Sequence, residues 1–447
     1  MIPRTKLTEL RKWASYENRK PLIIRGARQV GKTTLVRMFS DEFNQYIEFN
    51  LEKTEHRQLF DLSKDINQLV DSIFLYSSKS KSAGRTLIFI DEIQNSSNAI
   101  SMLRYLYEDY PGYYIIAAGS LLESLLDFKS TFPVGRVEFL YLYPLTFKEY
   151  LLAAGKPGLA EALDTIPYPE NLNHAFYSEY SRYALVGGMP EAVRIYTEKN
   201  DYFEAGKVYE SLLLSYVDDV EKYSPSQKTS AVLRHVIQSS FRLAGRRITF
   251  EGFGGSTYRS LEIKEAFQLL EKTLLLRLNY PSSSVVPPIS VNMNKSPKVQ
   301  VLDTGLINYF AGVSSEFALN KSLEDVYSGI IIEHLTGQEL LAAQKSVLTP
   351  LTFWSRDKKQ SSAEVDYIIQ CEGNVIPVEV KSGSAGRLRS IMQFTDAAPN
   401  NLAVRLYSGT LSIEKAKTLT GKEFTLLNLP LFLAGKVEEY VRWAKNL

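Results

Sequence analysis

Short apolar runs alternate with amphipathic stretches over the first third of the chain. Apolar runs bounded by polar turns are typical of buried strands, and the stretches between them carry apolar residues at helical spacing. Strands that alternate with helices predict a parallel sheet with helices packed on its faces. The predicted strands are residues 21–25, 46–51, 86–91, 113–118 and 136–141.

The pattern changes to a mainly helical period over residues 142–220. Gly187, Gly188 and Pro190 interrupt this period and predict a tight, fixed turn. A helical lid over a bound nucleotide needs such a turn to bring its backbone close to the base. From the pattern alone, the turn is only a break between helices.

Residues 207–310 predict three helices followed by two strands with a polar loop between them. This is the element order of a winged helix, in which the third helix, residues 260–274, would face a DNA groove. Winged helices also serve as protein contacts, so DNA and protein both remain candidate partners. The basic residues predicted to contact DNA phosphates are Arg246, Arg247, Arg259 and Lys264.

A phosphate-binding loop follows the first predicted strand. Residues 26–33 read Gly-Ala-Arg-Gln-Val-Gly-Lys-Thr, a complete G-x-x-x-x-G-K-T motif, and a helical pattern follows it. Backbone N–H groups of such a loop, together with the helix N-terminus, approach phosphate oxygens closely. Lys32 can reach the β and γ phosphates, and the Thr33 hydroxyl can bind Mg²⁺. The predicted nucleotide-binding residues are Gly26, Ala27, Arg28, Gln29, Val30, Gly31, Lys32, Thr33 and Thr34.

The third predicted strand supplies the second half of a nucleoside triphosphatase site. It ends in Asp91 and Glu92 after the apolar run 87–90. Asp91 fits the role of a nucleotide-site residue that holds Mg²⁺ opposite Thr33. Glu92 fits the residue that polarises the attacking water. The chain has no Asn-Lys-x-Asp guanine-recognition motif, which favours ATP over GTP.

Two further residues are candidates for catalysis. Ser120 follows the strand after Asp91, where a γ-phosphate sensor would lie, and a serine there is equally suited to cap the next helix. Arg136 precedes the last strand and can neutralise the transferring phosphoryl group, either in its own subunit or in a neighbouring one. The second arrangement would require a homo-oligomer. An ordinary surface arginine is the alternative.

A second group of polar residues lies in the α/β pattern that returns after a predicted linker at 311–322. Asp366 and Glu379 lie on two predicted strands joined by a short turn, and Lys381 shares a strand face with Glu379. Carboxylate oxygens suit Mg²⁺ or Mn²⁺, so Glu333, Asp366 and Glu379 are the predicted metal ligands. Lys381 would orient or deprotonate a metal-bound water that attacks phosphate. Outward-facing charges on an edge strand are the alternative.

Composition and charge indicate a globular protein with one basic segment. The 447 residues are 45% hydrophobic and 23% charged, as is typical of globular domains. Residues 221–300 hold 12 Lys and Arg against 5 Glu and no Asp, a local charge of +7 in a chain of net charge +2. Such a block suits a nucleic-acid backbone or forms a solvated surface. The chain has a single cysteine, Cys371, which excludes an internal disulfide and favours the cytoplasm. No apolar run is long enough to span a membrane, so no membrane partner is predicted.

The chain resembles a large group of bacterial and archaeal AAA-type ATPases that carry a C-terminal domain of unknown function related to the PD-(D/E)XK nucleases. The matching motifs are residues 26–33, 89–94, 118–120, 135–136, 143–150, 187–191, 301–306, 364–367 and 378–382. The resemblance implies that Pro190 belongs to a lid motif at the nucleotide and that Arg136 is the family's arginine. The proline of the nuclease motif is absent, because Val365 precedes Asp366.

The expected fold class is therefore α/β and multidomain. The expected parts are a P-loop parallel-sheet ATPase core at 1–141, a helical lid at 142–206, a winged helix at 207–310 and a PD-(D/E)XK nuclease-like α/β domain at 323–447. Two functions stay open at this point. One is ATP-gated DNA processing with a metal-dependent deoxyribonuclease, which the intact Asp366, Glu379 and Lys381 favour. The other is an ATP-dependent regulatory switch whose last domain is an interaction module without cleavage activity.

Overall fold

A computed structural model describes residues 1–119, 135–223, 226–312, 329–344, 346, 348–356, 363–383 and 388–447, without the side chains of 219–223. These residues divide into two units. Unit 1 consists of residues 1–143 and 272–274, and unit 2 consists of residues 144–271 and 275–447.

The strands of unit 1 form one parallel sheet. They are β1 (Leu22–Arg25), β2 (Gln45–Asn50), β3 (Thr86–Asp91), β4 (Tyr114–Gly119) and β5 (Glu138–Tyr141). Their order is β2-β3-β4-β1-β5, and every neighbouring pair is parallel. The predicted strands and their parallel pairing are confirmed, with ends that differ by one or two residues. Because β4 lies between β1 and β3, one strand separates the phosphate loop from the strand that ends at Asp91.

Helix α1 (Leu7–Ser15) precedes β1. The helices between the strands are α2 (Lys32–Ser40), α3 (Thr54–Asp61), α4 (Ile66–Tyr76) and α5 (Ser97–Asp109). Every residue of β3 is buried, as expected for a central strand with helices on its faces. Helix α4 begins after Asp65, whose carboxylate accepts the Gln68 N–H and so satisfies one donor of the first turn. The core therefore surrounds the strand that ends in the predicted acidic pair.

Unit 2 is mainly helical up to residue 242. The helices of the whole unit are α6 (Phe147–Ala153), α7 (Pro157–Ala162), α8 (Asn173–Val186), α9 (Pro190–Lys199), α10 (Tyr202–Tyr223), α11 (Gln227–Arg242), α12 (Ser260–Lys272), α13 (Thr304–Phe310), α14 (Gly329–Ala343), α15 (Arg389–Ala397) and α16 (Val437–Lys445). A capping box begins α6: the Thr146 hydroxyl accepts the Glu149 N–H, and the Glu149 carboxylate accepts the Thr146 N–H. Gly187, with φ of 78°, ends α8 at the predicted turn, and α9 begins at Pro190.

The strands of unit 2 form two sheets. They are β6 (Leu276–Asn279), β7 (Pro281–Ser282), β8 (Lys298–Val301), β9 (Thr352–Ser355), β10 (Glu364–Cys371), β11 (Asn374–Val380), β12 (Leu402–Tyr407), β13 (Ser412–Lys417) and β14 (Glu423–Pro430). One sheet has seven strands in the order β13-β14-β12-β11-β10-β9-β7, and the other consists of β6 and β8.

The element order predicted for residues 207–310 is present. Helices α10, α11 and α12 precede β6 and β8, which pair antiparallel with Leu276 opposite Val301. The assignment of these elements as a winged helix stays a prediction. The polar loop between the two strands departs from the expected picture, because Pro281 and Ser282 form β7 and pair in parallel with β9 of the seven-stranded sheet.

The hairpin expected around Asp366 and Glu379 is also present. Strands β10 and β11 pair antiparallel, with Tyr367 opposite Val378. Glu372 and Gly373 make the turn with φ of 47° and 73°. Asp366 and Glu379 therefore lie on adjacent strands, as predicted. Among the helices that the structure describes, none is both long and apolar enough to cross a membrane.

Candidate nucleotide site and acidic cluster

The phosphate loop of unit 1 depends on glycine at two positions. Gly31, directly before α2, has φ of 93°, in the left-handed region that glycine adopts most readily. A Cβ atom on Gly26 would lie 2.5 Å from the carbonyl oxygen of Leu142, which is too close for any side chain. The loop thus turns sharply after β1 and leads directly into the first turn of α2.

Arg4, which sequence reasoning missed, forms a hydrogen bond to this loop. The buried Arg4 guanidinium donates from Nη1 to the Val30 carbonyl at 2.9 Å and from Nη2 to the Tyr143 carbonyl at 2.7 Å. Nothing in the local pattern around Arg4 signals this role, because both acceptors are distant in sequence.

Lys32 lies inside the loop with its ammonium group bound by neutral oxygens. Its Nζ donates to the carbonyl oxygens of Gly26 and Ala27 at 3.0 and 2.9 Å. Burial lowers the pKa of Lys32, and the negative charges of Glu92 and Asp91 oppose this shift. A phosphate oxygen would be a stronger acceptor than either carbonyl, since it carries charge.

The Thr33 hydroxyl and the Asp91 carboxylate are brought together across the sheet. Thr33 Oγ1 donates to Asp91 Oδ2 at 2.6 Å. Burial raises the pKa of Asp91, while the hydrogen bond from Thr33 opposes the shift. Two adjacent hard oxygen atoms of this kind suit Mg²⁺, which takes few protein ligands and completes its shell with water and phosphate. The predicted pairing of these two residues is present in the structure.

Glu92 follows in a backbone conformation that is uncommon for a residue with a side chain. Its φ is 51°, in the left-handed region. Its N–H donates to Asp91 Oδ1 at 3.1 Å, and its Oε2 accepts a hydrogen bond from Gln94 Nε2. Sequence reasoning missed Gln94, which holds the carboxylate predicted to activate water.

Three further residues were predicted to act at the nucleotide site: Arg136, Ser120 and Pro190. Arg136 Nε lies 2.7 Å from Glu108 Oε1, with the arginine side chain 44% exposed. Ser120 lies outside the described residues. Pro190 belongs to unit 2, where it is the first residue of α9. The predicted roles of all three in ATP chemistry stay predictions.

The predicted metal residues of unit 2 surround a lysine that sequence reasoning missed. Lys298 Nζ is 2.6 Å from Glu333 Oε1, 2.6 Å from Glu364 Oε1 and 4.0 Å from Asp366 Oδ1. Burial disfavours the charge on Lys298, but these three carboxylates outweigh burial and raise its pKa. We call Lys298, these three acids, Glu379, Lys381 and Arg247 the acidic cluster.

Glu379 forms the other end of the acidic cluster. Its Oε1 lies 2.5 Å from Lys381 Nζ, which confirms that the two side chains share a strand face. Its Oε2 is buried and has no hydrogen-bond partner among the described residues. Burial raises the pKa of Glu379 to about 7, and the neighbouring Asp366 adds to the shift. Burial likewise raises the pKa of Glu333 to about 7.

Arg247, one of the residues predicted to contact DNA, is engaged within the acidic cluster. Its Nη2 lies 2.8 Å from Glu364 Oε2, and its guanidinium carbon lies 4.7 Å from the centre of the Phe353 ring. Lys298 Nζ lies 4.9 Å from the same ring. Arg246 and Arg247 are both exposed. The pairing of Arg247 with Glu364 competes with its predicted phosphate contact.

A divalent metal ion does not fit among these carboxylates while both ammonium groups are in place. Within the described part of the chain, no set of three or more His, Cys, Asp and Glu side chains has the geometry of a metal site. Lys298 and Lys381 already hold the cation positions next to Glu333, Asp366 and Glu379. The metal-binding role of those three acids stays a prediction.

Three of the sequence motifs, at residues 143–150, 187–191 and 301–306, meet in a buried polar network of unit 2. The Asp303 carboxylate accepts the N–H of Gly188 at 2.6 Å and that of Gly305 at 2.9 Å. Glu339 Oε1 accepts the Phe147 N–H at 2.9 Å and the Tyr183 hydroxyl at 2.6 Å. Burial raises the pKa of Asp303 to about 6 and that of Glu339 to about 7. The predicted turn after α8 is therefore fixed by contacts from α13 and its preceding residue.

Comparison with known protein families divides the chain into three matched segments. Residues 18–151 match the family described as an AAA domain. Residues 177–316 match a domain of unknown function, DUF8612, and residues 328–432 match another, DUF4143. The first segment is therefore an AAA-type P-loop ATPase domain. The third is a domain of unknown function, and its relation to PD-(D/E)XK nucleases stays a prediction.

Similar whole proteins are distant. Uncharacterized proteins of Mycobacterium bovis and Mycobacterium tuberculosis are each 23% identical to this chain over 396 residues, which cover 84% of this chain and 74% of theirs. Among solved structures, a Walker-type ATPase of Pyrococcus abyssi is 17% identical with a TM-score of 0.44, over 70% of this chain and 96% of that one.

Proposed function

We propose that this protein binds and hydrolyses ATP at the phosphate loop of its AAA domain. The observation that carries the proposal is the 2.6 Å hydrogen bond from Thr33 Oγ1 to Asp91 Oδ2. It brings together the two residues expected to hold Mg²⁺, and Mg²⁺ when bound neutralises charge on the β and γ phosphates. The glycine positions of the loop and the buried Lys32 support the same reading.

Each residue of the site has its own role in ATP binding or hydrolysis. Lys32 exchanges its two carbonyl acceptors for phosphate oxygens, and the backbone N–H groups of the loop bind the same phosphates. The Glu92 carboxylate, once released from Gln94, orients the attacking water and takes its proton. Arg136 is our candidate for stabilising the charge that develops on the transferring group, from its own subunit or across a homo-oligomer interface.

ATP is the proposed nucleotide, since the chain has no guanine-recognition motif. The lone Cys371 is buried, which fits a protein of the reducing cytoplasm, where ATP is supplied.

Lys32→Ala tests the nucleotide site directly. The substitution removes the charge-assisted hydrogen bonds to phosphate, so the affinity for a fluorescent ATP analogue should fall by on the order of 10–100-fold. Titration by fluorescence anisotropy measures this. Lys12→Ala, at an exposed position on α1, is the matched control and should bind as the parent does. A folded Lys32→Ala protein with the parental affinity would place ATP elsewhere.

We further propose that ATP turnover drives a regulatory switch in which unit 2 acts by binding a partner. The internal pairing of the acidic cluster supports this, because its cations are supplied by the chain itself. DNA processing is the second candidate. It is supported by the net charge of +7 over residues 221–300, by the exposed Arg246 and Arg259 and by the helix–strand order of that segment.

Incubation with plasmid, single-stranded and branched DNA separates the two candidates. The switch proposal expects no nicking with Mg²⁺ or Mn²⁺, with or without ATP. Nicking by the parent that Asp366→Ala abolishes, while ATP hydrolysis continues, would favour DNA processing instead.

A further inference from the structure

We infer that unit 1 binds a single-stranded nucleic acid at the edge where the strands of its parallel sheet begin, with Arg19 and Arg85 facing the phosphates. The phosphate loop lies at the opposite edge, because it follows the last residue of β1. The inferred site is therefore separate from ATP turnover, and it is also distinct from the basic segment at residues 221–300.

Segments that are distant in sequence meet at this edge. In a parallel sheet neighbouring strands begin on the same side, so the residues before β1, β2 and β3 lie near the first residue of β4. Arg19 and Phe43 precede β1 and β2. Arg85 precedes β3, and Tyr114 begins β4. The rings of Phe43 and Tyr114 meet edge to face with their centres 4.9 Å apart, so one aromatic surface joins these segments.

Both guanidinium groups lie against this aromatic surface. Arg19 Cζ is 3.5 Å from the centre of the Tyr114 ring, and Arg85 Cζ is 5.1 Å from the same centre. Arg85 Cζ is also 4.9 Å from the centre of the Phe43 ring. Contact with a ring holds the plane of a guanidinium group, while the N–H groups at its edge keep the fork geometry that matches a phosphate.

The charge of this arginine pair is not balanced by an acid within the described residues. Arg19 Nη2 donates to neutral carbonyls, that of Pro111 at 3.1 Å and that of Gly112 at 3.4 Å. Its Nε is buried, and no described residue accepts a hydrogen bond from it. Burial lowers the pKa of Arg19, Tyr114 opposes this shift, and the like charge of Arg85 adds to it. A bound anion would relieve the repulsion between the two cations.

The loop before β3 adds further positive charge to the edge. Residues 77–85 contain Lys79, Lys81 and Arg85 and no acid. Lys79 is exposed, whereas Lys81 pairs with Asp71. Several cations along one loop suit a run of phosphates better than a single anionic group.

Tyrosine rings beside the cations favour nucleic acid over an acidic peptide as the ligand. Tyr110 and Tyr113 stack with their ring centres 6.0 Å apart and their planes 10° apart, and both are partly exposed. They flank the two carbonyl groups that Arg19 Nη2 binds. Bases stack on such rings, whereas peptide carboxylates do not. The ligand is a single strand, because the bases of a duplex are already stacked on one another.

Arg85→Gln tests the inference, because Arg85 is exposed and the substitution removes its charge. Fluorescence anisotropy measures binding of labelled oligothymidylate of about 20 nucleotides, longer than a typical single-strand site, to the intact chain at several salt concentrations. The affinity should fall by about five- to tenfold at low salt. The slope of log affinity against log salt should fall by about 0.7, the value of one single-strand phosphate contact. Binding elsewhere on the chain cancels from the comparison.

Two variants serve as controls. Arg85→Lys keeps the charge and should keep the parental salt slope. Arg104→Gln is the matched control, since Arg104 Cζ lies 5.8 Å from the centre of the Tyr105 ring but the arginine also pairs with Glu108. It should bind the strand as the parent does. Labelled poly-glutamate of equal charge should bind at least about tenfold more weakly than the strand, because it lacks bases to stack.

Photocrosslinking of a 4-thiothymidine strand to the parental chain gives a second readout that needs no variant. The crosslinked peptides should include Tyr110 or Tyr113. The yield at these peptides should fall when unlabelled oligothymidylate competes, and it should not fall when the same charge is added as poly-glutamate.

Three results would overturn the inference. A folded Arg85→Gln chain with the parental affinity and salt slope would make Arg85 a structural partner of the rings only. Arg85-dependent binding of poly-glutamate that equals or exceeds that of the strand would make this edge a site for an acidic peptide. If Arg85→Gln does not fold, crosslinks of the parental chain that lie only outside Tyr110 and Tyr113 would place the strand elsewhere.

Discussion

Glu339 is a fully buried carboxyl group whose surroundings set its ionisation. Burial raises its pKa to about 7, against the opposing effect of hydrogen bonds from Tyr183 and from the Phe147 N–H. Because this pKa exceeds that of an unfolded chain, the folded state binds more protons. The stabilisation is complete at low pH and is lost as the pH rises through about 7. Asp303, with a pKa of about 6, acts in the same direction.

The free energy of unfolding should therefore fall as the pH rises from about 4.5, the ordinary pKa of a glutamate, to about 7, and it should level off above that. Glu339→Gln keeps an oxygen acceptor and removes the ionisation, so the fall should become shallower by up to about 1.4 kcal/mol per pH unit. Urea unfolding at three pH values across this range measures the slope. Glu198→Gln, at an exposed position, should leave the slope unchanged. An equal slope in Glu339→Gln and the parent would show that Glu339 is already ionised in the folded state.

Residues differed in how far the sequence could predict them. Lys32, Thr33 and Asp91 belong to motifs whose spacing reflects one continuous strand–loop–helix or one strand end, so local pattern was sufficient. Arg4 and Lys298 belong to no local motif. Arg4 bonds to residues 26 and 139 positions away, and Lys298 pairs with acids at least 35 positions away. Such partners become apparent only when the chain is folded.

Among the elements, the segment from α11 to β8 contains both the predicted DNA-binding surface and part of the acidic cluster. Arg246 and Arg247 are adjacent in sequence, yet their surroundings differ. Both side chains are exposed, but Arg247 also pairs with Glu364 and lies over Phe353. If the segment binds DNA, these neighbours should respond differently to the same substitution.

Arg246→Glu should weaken DNA binding by a similar factor for all sequences and reduce the salt dependence of binding by about one phosphate contact. Arg247→Glu should instead lower the free energy of unfolding by up to about 1 kcal/mol, because it places like charge beside Glu364 in a partly exposed pair. Filter binding at several salt concentrations and urea unfolding measure the two effects. An unchanged salt slope in Arg246→Glu would leave this segment as a protein contact.

Among the secondary-structure elements, strands with a strong hydrophobic or turn pattern were predicted correctly. Strand β3 is a continuous apolar run, and the β10–β11 hairpin has a turn signal at Glu372 and Gly373, so both were found. Strand β7 has two residues, too few for any periodicity. It exists because β9 offers a neighbouring edge, which is a tertiary contact.

In the whole molecule, local patterns predicted where elements lie but not which distant elements contact one another. The sequence predicted the segment 207–310 and the part from 323 onward as separate domains. In unit 2, β7 of the first segment pairs with β9 of the second, and Lys298 pairs with Glu333. Only the structure connects these segments, because the hydrophobic period does not encode a contact between distant residues.

The central claim is that the AAA domain turns over ATP with Glu92 as the residue that activates water. Steady-state phosphate release by purified Glu92→Gln, compared with the parent at saturating ATP and Mg²⁺, tests it most directly. The variant should bind ATP as the parent does and release phosphate more slowly by a factor on the order of 10²–10⁴, the range for loss of a general base. Parental turnover in Glu92→Gln, with ATP binding intact, would contradict the account.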